Sequence, residues 1–441
     1  MYKKCSRLAL ATAIVTAPVF TLAASFQLME QSPAQLGKAF AGTASDPVDA
    51  TIVFFNPAAM ADLDRPAMTA GLDVTVTDAD FSNEGSTWPG FEDGTREYGL
   101  LSNLYAVMPL TELFALGFGV TAPFGLESNY EDEWVGRYAA TRSDLLVTNF
   151  NITGAWALTD KLSLGLGLNY QRTDVTLEKQ VDSTLGVAPD PATDSSVKIE
   201  GDDDDIVLDA SVFFKPAEGT RLGILWRQGG DFTLSGNAEF VVNAACTPGA
   251  GFPTGAPPAP TTGTLCAGAL GPREGNIKAE VELPDTITLS LSQQLNDAWT
   301  VHADIARTRW SSIHNIEVVN ITTGVIVDTL DLQYDDTMRY ALGITLATES
   351  PWTWRAGIAF DEAPQTDAEH ATPRIPDEDR AWLSIGVNWA LSDNLSIDMS
   401  YAHLFFDEAS ITDVDETSGR RLSGSFDNSV DILGAQVNWR F

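Results

Sequence analysis

Alternation of apolar residues with small or polar ones is the feature that most constrains the fold of this 441-residue chain. Successive side chains of a β-strand point to opposite faces, so a period of two predicts strands with one apolar face. Because a soluble β-sandwich alternates in the same way, the pattern alone does not identify a membrane barrel. Similar stretches cover residues 340–346, 352–360, 383–391 and 395–401. In one clear case the apolar residues are Leu162, Leu164, Leu166, Leu168 and Tyr170, and between them stand Ser163, Gly165, Gly167 and Asn169.

Three further features favour a barrel that crosses a membrane. After residue 23 the sequence has no run of about 20 apolar residues, as a spanning helix needs, whereas a tilted strand needs only about 9 to 11 residues. Very short turns such as 159–161 and 392–394 alternate with long polar loops such as 243–275, as expected for periplasmic turns and extracellular loops. The chain ends on Phe441 after an apolar strand face, which resembles the assembly signal of bacterial outer-membrane barrels. On a soluble strand the same residues would simply be core.

Counting apolar runs separated by turn signals predicts fourteen strands between residues 67 and 441. An even number lets the barrel begin and end on the periplasmic side, and closure satisfies every backbone donor and acceptor within hydrocarbon. The predicted fold is therefore all-β, a 14-stranded antiparallel transmembrane β-barrel. The predicted strands are 67–80, 97–109, 113–124, 143–158, 161–178, 203–216, 220–240, 276–294, 298–318, 327–346, 352–362, 378–391, 395–412 and 424–441.

The first residues have the pattern of a cleavable export signal. A basic start and an apolar run over residues 8–22 precede small residues, which predicts a signal peptide over residues 1–23 and a mature chain in the outer membrane. Cys5 lies ahead of the apolar run and would leave with the signal. The remaining pair, Cys246 and Cys266, is a plausible disulfide in an exported chain, and two free thiols are the alternative.

The chain is strongly acidic, with 61 Asp and Glu residues against 26 Lys and Arg and a formal net charge of −35. This balance argues against nucleic acid as a partner. Much of the negative charge lies in predicted loops or rims, which we interpret as a solvated surface. A calcium site at residues 202–205 is disfavoured because consecutive strand residues point to opposite faces, although divalent bridging to lipopolysaccharide stays an alternative. No metal site is predicted.

Residues 25–60 carry three recognisable motifs ahead of the first strand. They are an opening FQLxE at residues 26–30, a GKAFAG run at 37–42, and the triplet Asn56, Pro57 and Ala58. This segment resembles the N-terminal hatch of the FadL family, long-chain fatty acid transporters of the Gram-negative outer membrane. The resemblance implies a fourteen-strand barrel, a hatch of short helices in its lumen, and fatty acids or monoaromatic hydrocarbons as substrates.

Residues 24–66, which we call the hatch, also have a physical reason to lie inside the barrel. A fourteen-strand barrel is wide enough to leave a lumen, and an apolar solute gains nothing by entering a water-filled hole. A disordered tail fits poorly with the apolar residues of this segment, namely Phe26, Leu28, Leu36, Phe40, Phe54 and Phe55. We therefore predict that the hatch fills the lumen, with Phe26 and Leu28 at an internal pocket and the Asn56 triplet beside the exit.

The predicted exit is the third strand. In the FadL family this strand is kinked inward, which leaves an opening in the wall through which a hydrophobic substrate moves sideways into the membrane. Proline cannot donate a ladder hydrogen bond and glycine permits a bulge, so the resemblance favours a kink here at Thr121, Ala122, Pro123, Phe124 and Gly125. The alternative is that Pro123 and Gly125 end the strand at the extracellular rim.

Catalysis finds little support in the sequence. The histidines are His302, His314, His370 and His403, without a Gly-x-Ser-x-Gly elbow or zinc-ligand spacing. His302 and Asp304 share one face of a predicted strand, but without a nucleophile we interpret them as a hydrogen bond in the lumen. We predict no catalytic residue and no cofactor.

Together these observations predict a monomeric outer-membrane channel for passive uptake of hydrophobic compounds, such as fatty acids or hydrocarbons. Further expected partners are outer-membrane lipids, lipopolysaccharide and the barrel-assembly machinery. The alternatives are a general porin for polar solutes and a surface adhesin or phage receptor. Four arginines are candidates to bind a substrate carboxylate, and each could equally lie at a rim: Arg172, Arg307, Arg339 and Arg355.

Overall fold

The computed structural model describes residues 26–256, 259–415 and 418–441. The predicted signal peptide lies outside these residues. The α-helices are α1 (Pro33–Leu36), α2 (Ile52–Phe55) and α3 (Thr262–Leu270), and no helix in the described residues is long and apolar enough to cross a membrane. Short 3-10 helices occupy Pro57–Asp62, Pro191–Thr193, Ala244–Cys246, Gly271–Arg273 and Trp310–Ser312.

The described residues form nineteen strand segments in one sheet. Five barrel strands consist of two consecutive segments each, so the closed barrel has fourteen strands. The segments are β1 (Ala67–Asn83), β2 (Gly94–Pro109), β3 (Phe114–Asn129), β4 (Arg142–Thr159), β5 (Leu162–Val181), β6 (Ser195–Ala217), β7 (Thr220–Arg227), β8 (Gly230–Val241), β9 (Gly275–Leu283), β10 (Thr286–Gln294), β11 (Trp299–Thr308), β12 (Asn315–Asn320), β13 (Ile326–Asp331), β14 (Thr337–Ala347), β15 (Trp352–Asp361), β16 (Arg380–Ser392), β17 (Leu395–Phe406), β18 (Ala409–Val414) and β19 (Arg421–Arg440).

Neighbouring strands pair antiparallel, and β1 pairs with β19 from Ala67 opposite Arg440 to Asn83 opposite Gly424. The barrel closes in this way, and the predicted fourteen-stranded antiparallel barrel is confirmed. Two predicted boundaries were wrong by more than four residues. β3 runs on past 124 and β6 begins before 203, because polar residues there continue the ladders with β4 and β5.

The period-two pattern separates the two faces of the wall. On β5, Leu166 is 69% exposed on the outer face, whereas Asn169 is buried inside. Apolar side chains exposed around a closed barrel match a lipid environment. The connections are very short at one end, the short-turn end, and long at the other, the long-loop end. Trp352 and Trp389 stack near the short-turn end with ring centroids 5.2 Å apart, as in an aromatic girdle.

The described part of the hatch, residues 26–66, lies inside the barrel. Its first helix, α1, is capped by Ser32, whose hydroxyl accepts a hydrogen bond from the Gln35 N–H at 3.3 Å. Its six apolar residues noted from the sequence are all buried. Phe40 makes an edge-on contact with Trp382 of the wall, with ring centroids 6.0 Å apart. The hatch and the inner face of the wall thus share one apolar core.

Small and polar wall residues hold the hatch in place. Gly386 of β16 lets the hatch backbone approach, since a Cβ at Gly37 would lie 2.8 Å from the Gly386 Cα. Asp304 of β11 accepts hydrogen bonds from the backbone N–H groups of Gly42 at 2.7 Å and Thr43 at 3.0 Å. These contacts fix the hatch to the wall through buried polar groups.

Candidate substrate path

Strand β3 is bulged at the position that the sequence indicated. Its register against β4 shifts between Thr121 and Phe124, so that Ala122 and Pro123 together oppose a single β4 residue. Beyond the bulge the strand continues to Asn129. The alternative that Pro123 ends the strand at the rim is therefore wrong.

The bulge coincides with a gap in the pairing between β2 and β3. The two strands pair over residues 104–109 of β2 and 115–120 of β3. Within this fully described region, the ladder does not extend to residues 94–103 of β2 or 121–129 of β3, which pair on their other sides with β1 and β4. We call this gap between β2 and β3 the lateral window.

The first described residues of the hatch lie against the bulged side of the lateral window. The Gly125 N–H donates to the Phe26 carbonyl at 2.8 Å, and the Leu28 N–H donates to the Pro123 carbonyl at 2.9 Å. Between them Gln27 forms an antiparallel bridge to the third strand. A short piece of hatch therefore supplies β3 with part of the pairing that β2 does not.

Apolar side chains seal the lateral window. Leu28 of the hatch is 2% exposed and packs with Leu101 of β2 and Ala122 of the bulge. Leu146 of β4 packs against the same cluster. The Gln31 amide of the hatch donates to the Ala122 carbonyl at 2.6 Å. The seal is thus apolar, and it belongs partly to the hatch rather than to the wall.

Phe26 joins the lateral window to an apolar cavity on the side of the long loops. Its ring contacts Trp310, with centroids 5.0 Å apart, and Phe124, at 6.0 Å. Among the described residues that line this cavity, Arg374 is the one charged side chain. The apolar lining consists of Phe26, Leu126, Leu145, Val175, Leu177, Ile199, Phe232, Leu234, Ile277, Ala279, Val281, Leu283, Ile316, Val318, Leu330, Leu332 and Ile375.

The sequence that folds into this barrel matches a known protein family over most of its length. The family described as outer membrane protein transport protein (OMPP1/FadL/TodX) matches residues 14–441. The chain belongs to this family. The resemblance stated from the sequence is confirmed, and the protein is placed in the outer membrane. Members of this family are transport channels rather than enzymes.

Two relatives and two solved structures illustrate the relationship. Outer membrane protein P1 of Haemophilus influenzae is 31% identical over 445 residues, covering 91% of this chain and 90% of that protein. The long-chain fatty acid transport protein of Escherichia coli is 29% identical over 429 residues, covering 90% and 91%. A FadL homologue of Pseudomonas aeruginosa superimposes with a TM-score of 0.83 at 22% identity, covering 95% of this chain and 100% of that chain. The toluene transporter TodX of Pseudomonas putida gives 0.69 at 18% identity, covering 92% and 97%, and both structures support the fold alone.

The Asn56 triplet of this FadL-family chain does not lie beside the lateral window, so that expectation was wrong. The Asn56 amide donates to the carbonyls of Ala44 at 2.6 Å and Val212 of β6 at 3.1 Å. The Ala58 N–H donates to Ser211, also of β6, at 2.9 Å, and Pro57 begins the following 3-10 helix. A buried amide requires acceptors, and the acceptors here stand on β6 rather than on the bulged strand. The triplet anchors the hatch away from the path.

The four arginines considered from the sequence all face carboxylates, and none lines the apolar cavity. Sequence reasoning missed Arg374, which stands in the long connection between β15 and β16. The one available signal was its setting between Pro373 and Pro376, beside Ile375, in an otherwise acidic loop. The four ion pairs are Arg172–Asp202, Arg307–Asp336, Arg339–Asp361 and Arg355–Asp398.

A second, more polar cavity lies next to the apolar one and shares Leu330, Leu332 and Arg374 with it. It is built from the connections and strand ends at the long-loop end, and we call it the outer vestibule. Its aromatic residues Trp88 and Tyr138 contact each other, with ring centroids 4.4 Å apart. The vestibule is the place where a compound from the long-loop end would first meet the cavity.

The remaining residues singled out from the sequence lie off the path. Cys246 and Cys266 are joined in a disulfide, with Cα atoms 5.2 Å apart, and both are buried under the loop that carries α3. His302 is hydrogen-bonded through its two ring nitrogens to the hydroxyls of Ser292 at 2.8 Å and Thr345 at 3.0 Å. Asp304 binds the hatch backbone, and the hydroxyls of Ser290, Ser45 and Ser292 connect it to His302 in one hydrogen-bond network of the lumen.

Proposed function

We propose that this FadL-family channel takes up hydrophobic compounds, such as long-chain fatty acids or hydrocarbons, by passive diffusion and releases them sideways through the lateral window. The observation that carries the proposal is the missing ladder between β2 and β3, sealed by Leu28, Leu101 and Ala122. A wall closed by side chains and a short hatch segment can open without breaking a long β-ladder, whose bonds contribute about 1 kcal/mol each.

The interior supports this direction over an axial route. Once an apolar solute has passed from the outer vestibule into the apolar cavity, its surroundings stay apolar as far as Phe26. Continuing along the barrel axis would take it through buried polar contacts, such as Lys38 with Asp46 at 2.7 Å and Asp304 with the hatch. An apolar solute replaces none of these hydrogen bonds. The sideways route requires only the displacement of Leu28 and its neighbours.

The proposal assigns roles to parts of the chain. Residues 1–23 would be the signal peptide, 24–66 the hatch and 67–441 the barrel. Phe26 and Leu28 would line the moving end of the path, and residues 121–125 would form the edge of the exit. We further propose that the channel works as a monomer surrounded by outer-membrane lipid. The lipids would receive the released compound directly.

Straightening the third strand tests the proposal. In Pro123→Val combined with Gly125→Thr, strand-favouring residues should extend the β2–β3 ladder and close the lateral window. We expect uptake of toluene to fall sharply in a host that lacks its own transporter, while the barrel stays heat-modifiable on gels. Gly154→Thr is the control, since a Cβ at Gly154 meets only Phe114 at ordinary distance. Full uptake with a third strand shown to be straight would overturn lateral release.

A further inference from the structure

Asp328 lies between two cations at the junction of the outer vestibule and the apolar cavity. Its carboxylate is 2.6 Å from the Lys179 Nζ and 3.6 Å from an Arg374 guanidinium nitrogen. The three side chains come from β13, β5 and the connection after β15. The Asp328 side chain is 7% exposed, so the counter-ion of these two cations is a buried carboxylate of the protein itself.

The guanidinium of Arg374 binds protein groups besides Asp328. One terminal nitrogen donates to the Arg142 carbonyl at 3.0 Å, to the Ser143 hydroxyl at 3.1 Å and to the Glu178 carbonyl at 3.4 Å. The other terminal nitrogen forms the ion pair with Asp328, so both terminal nitrogens face protein acceptors. An incoming carboxylate would meet an apolar wall and would have to displace Asp328 to gain a cation.

The outer vestibule is unfavourable for anions as well. Its described lining holds five carboxylates, against the two cations Lys179 and Arg374. A surface with this excess of negative charge repels a carboxylate before it reaches the cavity, whereas an uncharged compound is not affected. The carboxylates are Asp328, Asp331, Glu369, Asp413 and Asp415.

We propose that Asp328 is a specificity residue, an internal counter-ion that restricts this channel to uncharged hydrophobic compounds and excludes carboxylates. The inference rests on the proposed function, because it names the substrate class of the same path. It also predicts that Lys179 and Arg374 would bind an anionic substrate together once the charge of Asp328 is removed.

Two probes with the same chain and different head groups test this role. Uptake of labelled 1-hexadecanol and of hexadecanoate is measured at pH 8, where the acid is ionised, in cells that lack their own transporter. We expect wild type to take up the alcohol at least about tenfold faster, the factor associated with about 1.4 kcal/mol. Asp328→Asn should raise the ratio of hexadecanoate uptake to alcohol uptake by about tenfold, through charge-assisted bonds from the released pair to the acid.

Two further variants keep the result interpretable. Asp331→Asn removes the same charge from the vestibule without releasing a buried cation, and should change the ratio of the two uptake rates less than about twofold because exposed charges are screened. If Asp328→Asn fails to fold because it leaves two cations without a counter-ion, the double variant Lys179→Met with Asp328→Asn replaces it. This variant removes one of the two cations and keeps Arg374 to bind the acid.

The outcomes separate the inference from the function it rests on. Equal uptake of both probes by wild type would overturn the specificity role and leave the channel function standing. An unchanged uptake ratio in folded Asp328→Asn and in the double variant would do the same. Uptake of neither probe above the empty-vector rate would overturn the channel function and this inference together.

Discussion

The hold of the hatch on the lateral window can be weakened at one residue. Phe26 is 3% exposed and packs on Trp310 and Phe124. Replacing such a phenylalanine with alanine costs about 3–5 kcal/mol. The two backbone hydrogen bonds to β3 and the hydrogen bond from the Gln31 amide add about 1 kcal/mol each. Phe26→Ala should therefore remove about half of the free energy that holds the start of the hatch against β3.

Hydrogen exchange of two amides measures the change. The Gly125 N–H donates to the Phe26 carbonyl and the Leu28 N–H donates to the Pro123 carbonyl, so both amides exchange when this part of the hatch leaves the third strand. A loss of about 3 kcal/mol corresponds to exchange about 150-fold faster in Phe26→Ala. Because the barrel is closed by β1 and β19, its own amides should keep their protection.

A matched substitution distinguishes local opening from general weakening. Phe81 is also buried among aromatic rings, at 5.0 Å from Phe426 and 5.8 Å from Trp134, but far from the hatch. Phe81→Ala should destabilise the long-loop end and leave exchange at Gly125 unchanged. Equal exchange at Gly125 in Phe26→Ala and wild type would refute the idea that Phe26 anchors the segment.

Three more predictions concern the hatch and the loops. Burial raises the pKa of Glu30 from 4.5 to about 7, so its contribution to hatch stability is full below about pH 4.5 and lost as pH rises through about 7. Protection factors of the hatch amides, which correct for faster intrinsic exchange at high pH, should therefore be lower at pH 8 than at pH 5, and Glu30→Gln should flatten this dependence. A Cβ at Gly357 would collide with the hatch backbone, so Gly357→Val should displace the hatch and raise ion conductance in planar bilayers, whereas Gly154→Val should not. Reducing Cys246–Cys266 should cost the loop about 3 kcal/mol and speed its proteolysis without changing barrel heat-modifiability.

The barrel was predictable because its signals are local. Alternation on a single strand, as at Leu166 and Asn169, reports which face meets lipid, and short turns report the hairpins. The bulge was predictable from Pro123 and Gly125 together with the family resemblance. The end of β3 and the start of β6 were not predictable. Polar residues there extend the strands beyond the membrane, where no apolar face is required.

The internal contacts could not be predicted because they depend on distant partners. The Asn56 amide finds an acceptor at Val212, about a third of the chain away, and nothing in the triplet specifies which strand that is. Arg374 reaches the apolar cavity only because its long loop folds inward over Asp328. Positions of this kind follow from the closed barrel, and a single sequence does not encode them in a local pattern.

Locking the hatch onto the third strand is the most direct test of lateral release. Gln27 and Phe124 form an antiparallel bridge flanked by the two backbone hydrogen bonds, a non-hydrogen-bonded pair with Cα atoms about 4.5 Å apart, within disulfide range. In Gln27→Cys combined with Phe124→Cys, the oxidised protein should not take up labelled 1-hexadecanol, and mild reduction should restore uptake in the same cells. The corresponding double serine variant should be insensitive to reductant. Equal uptake by the oxidised and reduced forms, with the crosslink verified, would contradict release through the lateral window.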